Sequence, residues 1–234
     1  HDASWINIWS ATSAYYHALR GETDKIPEIF SQHRLSDIHL LAPGKPMMEM
    51  IENQVYLAQG AYAKVVVRSA ELLAACEAMH YALVALHIRI QTAAAYARLG
   101  KPETAHTWLQ KALSDAGPDG LVMPFAENYS LLKPLLARET RSAFTARITA
   151  IGEAAQARGA ERLRPAAFRA LTAREFEIVE LMVQRLSNRE IAQKCYLSEG
   201  SVKQYVNQIY SKLHIEGDTR TKRAQLAALL HEKT

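Results

Sequence analysis

In the stretch SVKQYVNQIYSKL, residues 201–213, apolar side chains recur every third or fourth position: Val202, Tyr205, Val206, Ile209, Tyr210 and Leu213. That spacing predicts an amphipathic helix. The opposite face carries Ser201, Lys203, Gln204, Asn207, Gln208, Ser211 and Lys212, and no acid falls between Ser201 and Leu213. Gln and Asn can pair bidentately with an adenine edge, while Lys can reach a guanine edge or a phosphate. Solvated helix faces more often alternate Glu with Lys, and an acid would be repelled by phosphate. Lys203, Gln204, Asn207 and Gln208 are therefore candidates for contacting base edges; the rival reading is an ordinary solvated surface. Tyr205 and Tyr210 are assigned to packing.

Such a face needs neighbouring elements to hold it. TARE (Thr172, Glu175) and SNRE (Ser187, Glu190) both fit the reciprocal capping box of a helix start, and Ser198 in SEGS is a third cap candidate. After these starts come FEIVELMVQRL, IAQKCY and the helix just described, and TRTKRAQLAALLHE closes the chain. A short helix, a turn of about three residues and a longer amphipathic helix have the arithmetic of a helix-turn-helix. Ala192 falls where the two helices cross, with Ile191, Val202 and Ile209 as core. The set expected on phosphate comprises Ser187, Asn188, Arg189, Ser198, Ser201, Ser211 and Lys212. Leu226, Ala227, Leu229 and Leu230 either close the bundle or form a dimer contact.

Residues 171–226 resemble the LuxR-type helix-turn-helix domain of bacterial transcription regulators. The resemblance runs through Leu171-Thr172, Arg174-Glu175, Leu181, Ser187-Asn188, Glu190-Ile191-Ala192, Ser198, Val202-Lys203, Ile209, Lys212-Leu213 and Ala224. It implies double-stranded DNA as the partner, bound by a homodimer, with Lys203, Gln204 and Asn207 facing the groove. Arg185 stands where the family usually has Gly, so the turn after the first helix is expected to be built differently. Tyr205 and Gln208 also depart from the family pattern. IEGDTRTKRAQ is about two residues longer than the family's connection, and Arg220, Lys222 and Arg223 are left off the phosphate set for that reason.

The first 140 residues read as helical, rich in Ala and Leu, with recurring punctuation. YYHALRGETDKIPEIF, VYLAQGAYAKVVVRSA and AAYARLGKPETAHTWLQKAL each read as helix, glycine, polar turn and second helix, with Gly21, Gly60 and Gly100 spaced 39 and 40 apart. The pattern resembles tetratricopeptide-type repeats, whose usual period is ~34 residues. LAPGKPMM and DAGPDGLVMPF read as loops, helical character returns over residues 130–158, and the Arg- and Ala-rich residues 158–170, interrupted by Pro165, read as a linker. The expected fold is all-α: a tetratricopeptide-like region over residues 1–157, that linker, and a four-helix LuxR-type bundle over 171–234. The helical region resembles the C-terminal half of large MalT-like regulators, which implies a sensor, relay or oligomerisation role, with a small-molecule or protein inducer at the repeats.

Charge follows the same division. Residues 158–234 hold 14 Lys and Arg against 9 Asp and Glu, leaving 14 against 15 for residues 1–157. The basic balance suits nucleic acid. No 18-residue uncharged apolar run is present and HDASWINIWS is not a signal peptide, so no membrane role is expected. The lack of an initiator Met suggests a fragment of a longer protein. Cys76 and Cys195 are expected as buried free thiols, which suits a reducing cytoplasm.

No enzyme is expected. APGKPM and RLGKPE lack the first Gly and the hydroxyl of a phosphate loop. Cys76, His80 and His87 span too much of one helix to converge on a metal, and no cofactor is expected. Met47, Met48, Met50, Tyr15, Tyr16, Tyr56, Tyr62, Tyr96 and Trp108 are read as packing. Two other functions fit parts of this pattern: a protein-interaction scaffold, and a sigma-factor-like promoter-recognition module.

Overall fold

The computed structural model describes residues 2–38, 40, 42–163 and 165–231. Contacts divide the chain into two units, His1–Ala155 and Gln156–Thr234. No strand occurs among the described residues.

The first unit contains α1 (Asp2–Leu19), α2 (Glu28–Ser31), α3 (Lys45–Ala58), α4 (Tyr62–Ala78), α5 (Ala82–Arg98), α6 (Pro102–Ala116), α7 (Met123–Glu127), α8 (Tyr129–Leu136) and the first part of α9 (Ala143–Leu163). The glycine punctuation works as the sequence suggests. Gly21, Gly60 and Gly100 have φ of 69°, 76° and 72°, and each is followed by an amide that bonds back five residues: Glu22 N to His17 O at 3.0 Å, Ala61 N to Tyr56 O at 2.8 Å, Lys101 N to Tyr96 O at 3.0 Å. This is the Schellman helix end, which needs a left-handed residue. The same motif recurs midway, where Tyr81 N bonds to Cys76 O at 2.8 Å and His80 takes the left-handed place with φ 56°. An L side chain there costs about 1 kcal/mol relative to Gly.

α3, α4, α5 and α6 thus follow one another as antiparallel neighbours joined by three-residue turns. The first expected hairpin is not completed: after Gly21 come only 3-10 turns at Thr23–Lys25 and Leu35–Asp37 and the four-residue α2 between them, entered through Pro27 and ended by His33 at φ 57°. Residues 123–125, which read as loop, open helix α7, with Pro124 in the first turn where its missing amide costs nothing. α9 runs through Leu163 into the stretch read as linker, because Ala and Arg favour helix up to Pro165. Arg164 and the side chains of 160–163 lie outside the described residues.

Burial explains the order of this unit. Val55, Val65, Ile88, Ile90, Leu109, Phe125 and Leu132 are fully buried, and Tyr56, Tyr62, Tyr96 and Trp108 pack on the same apolar clusters. Met50 is buried and Met48 packs beside it, while Met47 and Tyr16 stay exposed. A chain of buried amides crosses the core. Gln91 Nε2 donates to Met50 O and to Gln54 Oε1, both at 3.0 Å. Gln54 Nε2 donates to Asn128 Oδ1 at 3.0 Å, and Asn128 Nδ2 to Pro124 O at 3.2 Å. Each member would cost about 1–3 kcal/mol if left unpaired, so the chain fixes how α7 and α8 sit on α3 and α5.

The second unit contains a 3-10 turn, Ala166–Phe168, then α10 (Ala173–Val183), α11 (Asn188–Cys195), α12 (Glu199–Lys212) and α13 (Thr219–His231). Both capping boxes form. Glu175 N donates to Thr172 Oγ1 at 3.2 Å while Thr172 N donates to Glu175 Oε2 at 2.7 Å. Glu190 N donates to Ser187 Oγ at 3.3 Å and Ser187 N to Glu190 Oε2 at 2.7 Å. Phe168, Ile178, Val179, Ile191, Val202, Ile209 and Leu226 are fully buried, so the 3-10 turn inside the expected linker supplies core to this unit. Arg185 adopts φ 65°. The turn after α10 is therefore built as a glycine would build it, and the expectation of a different turn is corrected: Leu186 N still reaches Leu181 O at 3.3 Å.

One ion pair ties the bundle together. Glu175 is only 3% exposed, and Lys212 Nζ, from the far end of α12, lies 2.8 and 2.9 Å from its two oxygens. Burial pushes the Glu175 carboxyl up, but the Lys212 ammonium and the Thr172 donors outweigh it and hold the pKa below the usual 4.5. The Ser187 donors hold Glu190 down likewise.

Because folding depresses both carboxyls, the stability they supply is full above the unfolded value and is lost as pH falls through the folded ones. Amide exchange in α10–α12 should accelerate as pH-corrected protection is followed downward from 4.5, and Glu175→Gln should flatten that dependence. Lys212→Ala, which strands a buried carboxylate, should lower stability by about 2 kcal/mol in urea denaturation, less than for a fully buried pair because the ammonium is half-exposed. In the first unit, a Cβ on Gly152 would lie 2.2 Å from Tyr129 Cγ. Gly152→Ala should cost about 1–2 kcal/mol by the same measurement, since ring displacement outweighs the gain in helix propensity.

Candidate nucleic-acid interface

α11 and α12 are joined by Tyr196, Leu197 and Ser198, a turn of the length expected for a helix-turn-helix. Ile191, Ala192 and Cys195 of α11 pack with Val202 and Ile209 of α12 in one core. Tyr210 is buried there, and Tyr205, Val206 and Leu213 pack partly buried against it. The apolar stripe of α12 is thus used up by bundle packing, and Tyr205 lies on the packed side.

Lys203, Gln204, Asn207, Gln208 and Ser211 are all exposed on the other side of α12. Among the described residues the side chains of Lys203, Gln204, Asn207 and Gln208 form no hydrogen bond or ion pair. From Lys203 to Ser211 the helix advances about 12 Å at 1.5 Å per residue, comparable to the ~12 Å width of a major groove. The arrangement offers a row of donors and acceptors with no internal partner to surrender.

The residues expected on phosphate divide into groups. Arg189 is exposed and unpaired, and Asn188 is half-buried in the first turn of α11. The Ser187 hydroxyl donates to Glu190 Oε2 at 2.6 Å, and the Ser198 hydroxyl accepts from Ser201 N at 3.0 Å and lies 2.8 Å from the Ser201 hydroxyl. These hydroxyls act as caps. What the helix starts leave for an anion is their first-turn backbone N–H groups, which have no carbonyl one turn earlier. Lys212 is corrected: its ammonium faces Glu175, not the outward row, because the buried carboxylate demands a counter-charge.

Several positioning contacts have no sequence signal. Arg174 Nη2 donates to the carbonyl of Cys195, at the end of α11, and Arg223 Nη1 donates to Leu186 O at 3.1 Å, just before its start. The two guanidinium groups hold α11 at both flanks, and no spacing rule links residues 21 and 37 apart to such contacts. Lys222 Nζ sits 5.4 Å above the Tyr210 ring; the side chain of Arg220 lies outside the described residues. Tyr196 is left-handed at φ 53° and 96% exposed, a place where glycine would have been a visible marker. Glu199, exposed in the first turn of α12, suits the positive end of the helix macrodipole.

Cys76 and Cys195 are buried free thiols. Among the described residues no cluster of His, Cys, Asp and Glu could hold a metal, and no helix is long and apolar enough to cross a membrane.

Residues 169–224 match the family of bacterial regulatory proteins, luxR family. The transcriptional regulatory protein LnrK of Bacillus subtilis (strain 168) is 44% identical over 50 residues, which are 21% of this chain and 23% of that protein. The chain thus matches less than a quarter of the length of this relative. No solved structure matches. The chain is all-helical and carries a LuxR-type helix-turn-helix domain in residues 169–224.

Proposed function

We propose that this protein is a bacterial transcription regulator that binds double-stranded DNA through α12 and acts without catalysing a reaction. The carrying observation is the exposed, unpaired row of Lys203, Gln204, Asn207 and Gln208 on a helix whose other face is spent on the core. In this reading Asn207, Gln204 and Gln208 contact base edges, and Lys203 reaches a guanine edge or a phosphate. Arg189, Asn188, Ser211 and the first-turn amides behind Ser187 and Ser198 hold the backbone.

The protein works in the cytoplasm as a homodimer on repeated half-sites; Leu226 closes the bundle core, and the partly buried Leu229 and Leu230 of α13 are the dimer contact. The first unit receives the signal, a small-molecule or protein inducer, as in a MalT-like regulator. The turns at Gly60, His80 and Gly100, which stack consecutive helices, support the repeat reading.

Selection from a randomised duplex pool by the full chain should enrich one sequence. Asn207→Ala should relax the preference at one base pair by about 1–3 kcal/mol. Lys203→Ala should make the dependence of log K on log salt shallower by about 0.9 if that ammonium meets a phosphate, whereas Lys212→Ala should leave the slope unchanged. A pool that emerges without enrichment overturns the reading.

A further inference from the structure

α4 and α6 both pack on α5, and the space between them is an open cleft of about 1040 Å³ floored by α5. Its floor and both walls contribute apolar side chains, Leu86, Leu73 and Trp108. Its charges comprise an acidic end, a Lys further along, and an Arg–Asp pair. Glu77, His80 and Asp119 lie where α4 finishes, α5 begins and α6 has just ended. Arg89 and Lys111 lie further along the antiparallel helices, nearer the middle of α5 and α6. Arg89 Nη1 is 3.0 Å from Asp115 Oδ2, while its buried Nε–H has no hydrogen-bond partner. Glu77, Asp119 and Lys111 form no ion pair among the described residues.

A second observation falls at the same place. In the consecutive turns at residues 60, 80 and 100, the left-handed position is Gly, His and Gly. His80 carries the backbone strain that its neighbours avoid, and its exposed imidazole lines the acidic end of the cleft.

We infer that this cleft binds a short peptide with free termini, its ammonium held by Glu77, Asp119 and the His80 imidazole and its carboxylate by Lys111 and the unpartnered Nε–H of Arg89, whose Nη1 stays on Asp115. From Leu83 to Arg89 α5 advances about 9 Å, and an extended tripeptide spans about 10 Å, so about three residues fit between the two ends. The apolar floor takes the middle side chain. A small anion would meet Glu77 and Asp119 unfavourably, and a small cation would meet Lys111 and Arg89; a ligand carrying both charges at this separation satisfies both ends. As a regulatory signal such a peptide rests on the proposed regulator function, but its binding does not.

The test is equilibrium dialysis of the full chain against an equimolar tripeptide pool with free termini, and against the same pool N-acetylated and C-amidated, with retained peptides identified by mass. Free peptides should be retained at least tenfold over capped ones. Lys111→Glu and Asp119→Lys, both at exposed unpaired side chains, should each reduce retention at least tenfold. His80→Gly should raise the thermal unfolding midpoint yet weaken retention threefold or more, which a purely structural His80 would not do. Absence of retention, equal retention of capped peptides, or retention unmoved by these three changes overturns the site. The dialysis contains no DNA, so a failure of the duplex selection leaves its outcome intact.

Discussion

A helix that ends abruptly has to place the residue after its last turn in the left-handed region, and this chain meets that demand repeatedly. Gly21, Gly60, His80 and Gly100 do so in the first unit, and Arg185, Tyr196 and His214 in the second. Each closes a helix whose final carbonyls are taken by the next two amides. The three-residue connections at Gly60, His80 and Gly100 set α3, α4, α5 and α6 antiparallel, and much of the first unit's core is built on that adjacency. Where the demand is met by a residue other than glycine, about 1 kcal/mol of strain is carried, and the packing on either side must hold it.

Polar chemistry then selects one packing among the many that greasy helices would allow. The amide chain from Gln91 through Gln54 to Asn128 admits one register of α8 on α3 and α5, since a slipped register would strand buried donors. In the second unit the Arg174 and Arg223 bonds to main-chain carbonyls perform a comparable task for α11. Hydrophobic burial supplies the driving force in both units, and these directional bonds supply uniqueness.

Much of this was legible in the residues because it depends on local chemistry. The capping boxes at Thr172 and Ser187, the amphipathic stripe of α12 and the glycine helix ends all follow from side-chain type at short spacing. The turn at His80 was not legible, because His takes the left-handed region more often than most side chains but far less often than glycine, and only the rhythm of Gly60 and Gly100 around it hints at the break. Residues 123–125 read as loop because Pro and Gly weigh as breakers, although Pro in a first turn starts helices. Of the candidate contacts, the outward row of α12 was visible from periodicity. The inward turn of Lys212 was not, since its cause, a buried carboxylate 37 residues earlier, exists only once the bundle has formed.

Glu175 serves two masters: it completes the cap of α10 and it anchors Lys212 at the end of α12. The outward-facing helix is therefore oriented from its rear, by groups that take no part in what its front surface meets. Its exposed row can be rewritten by mutation while the bundle keeps its shape, so that new recognition can arise here through drift in four or five surface codons without passing through an unfolded ancestor.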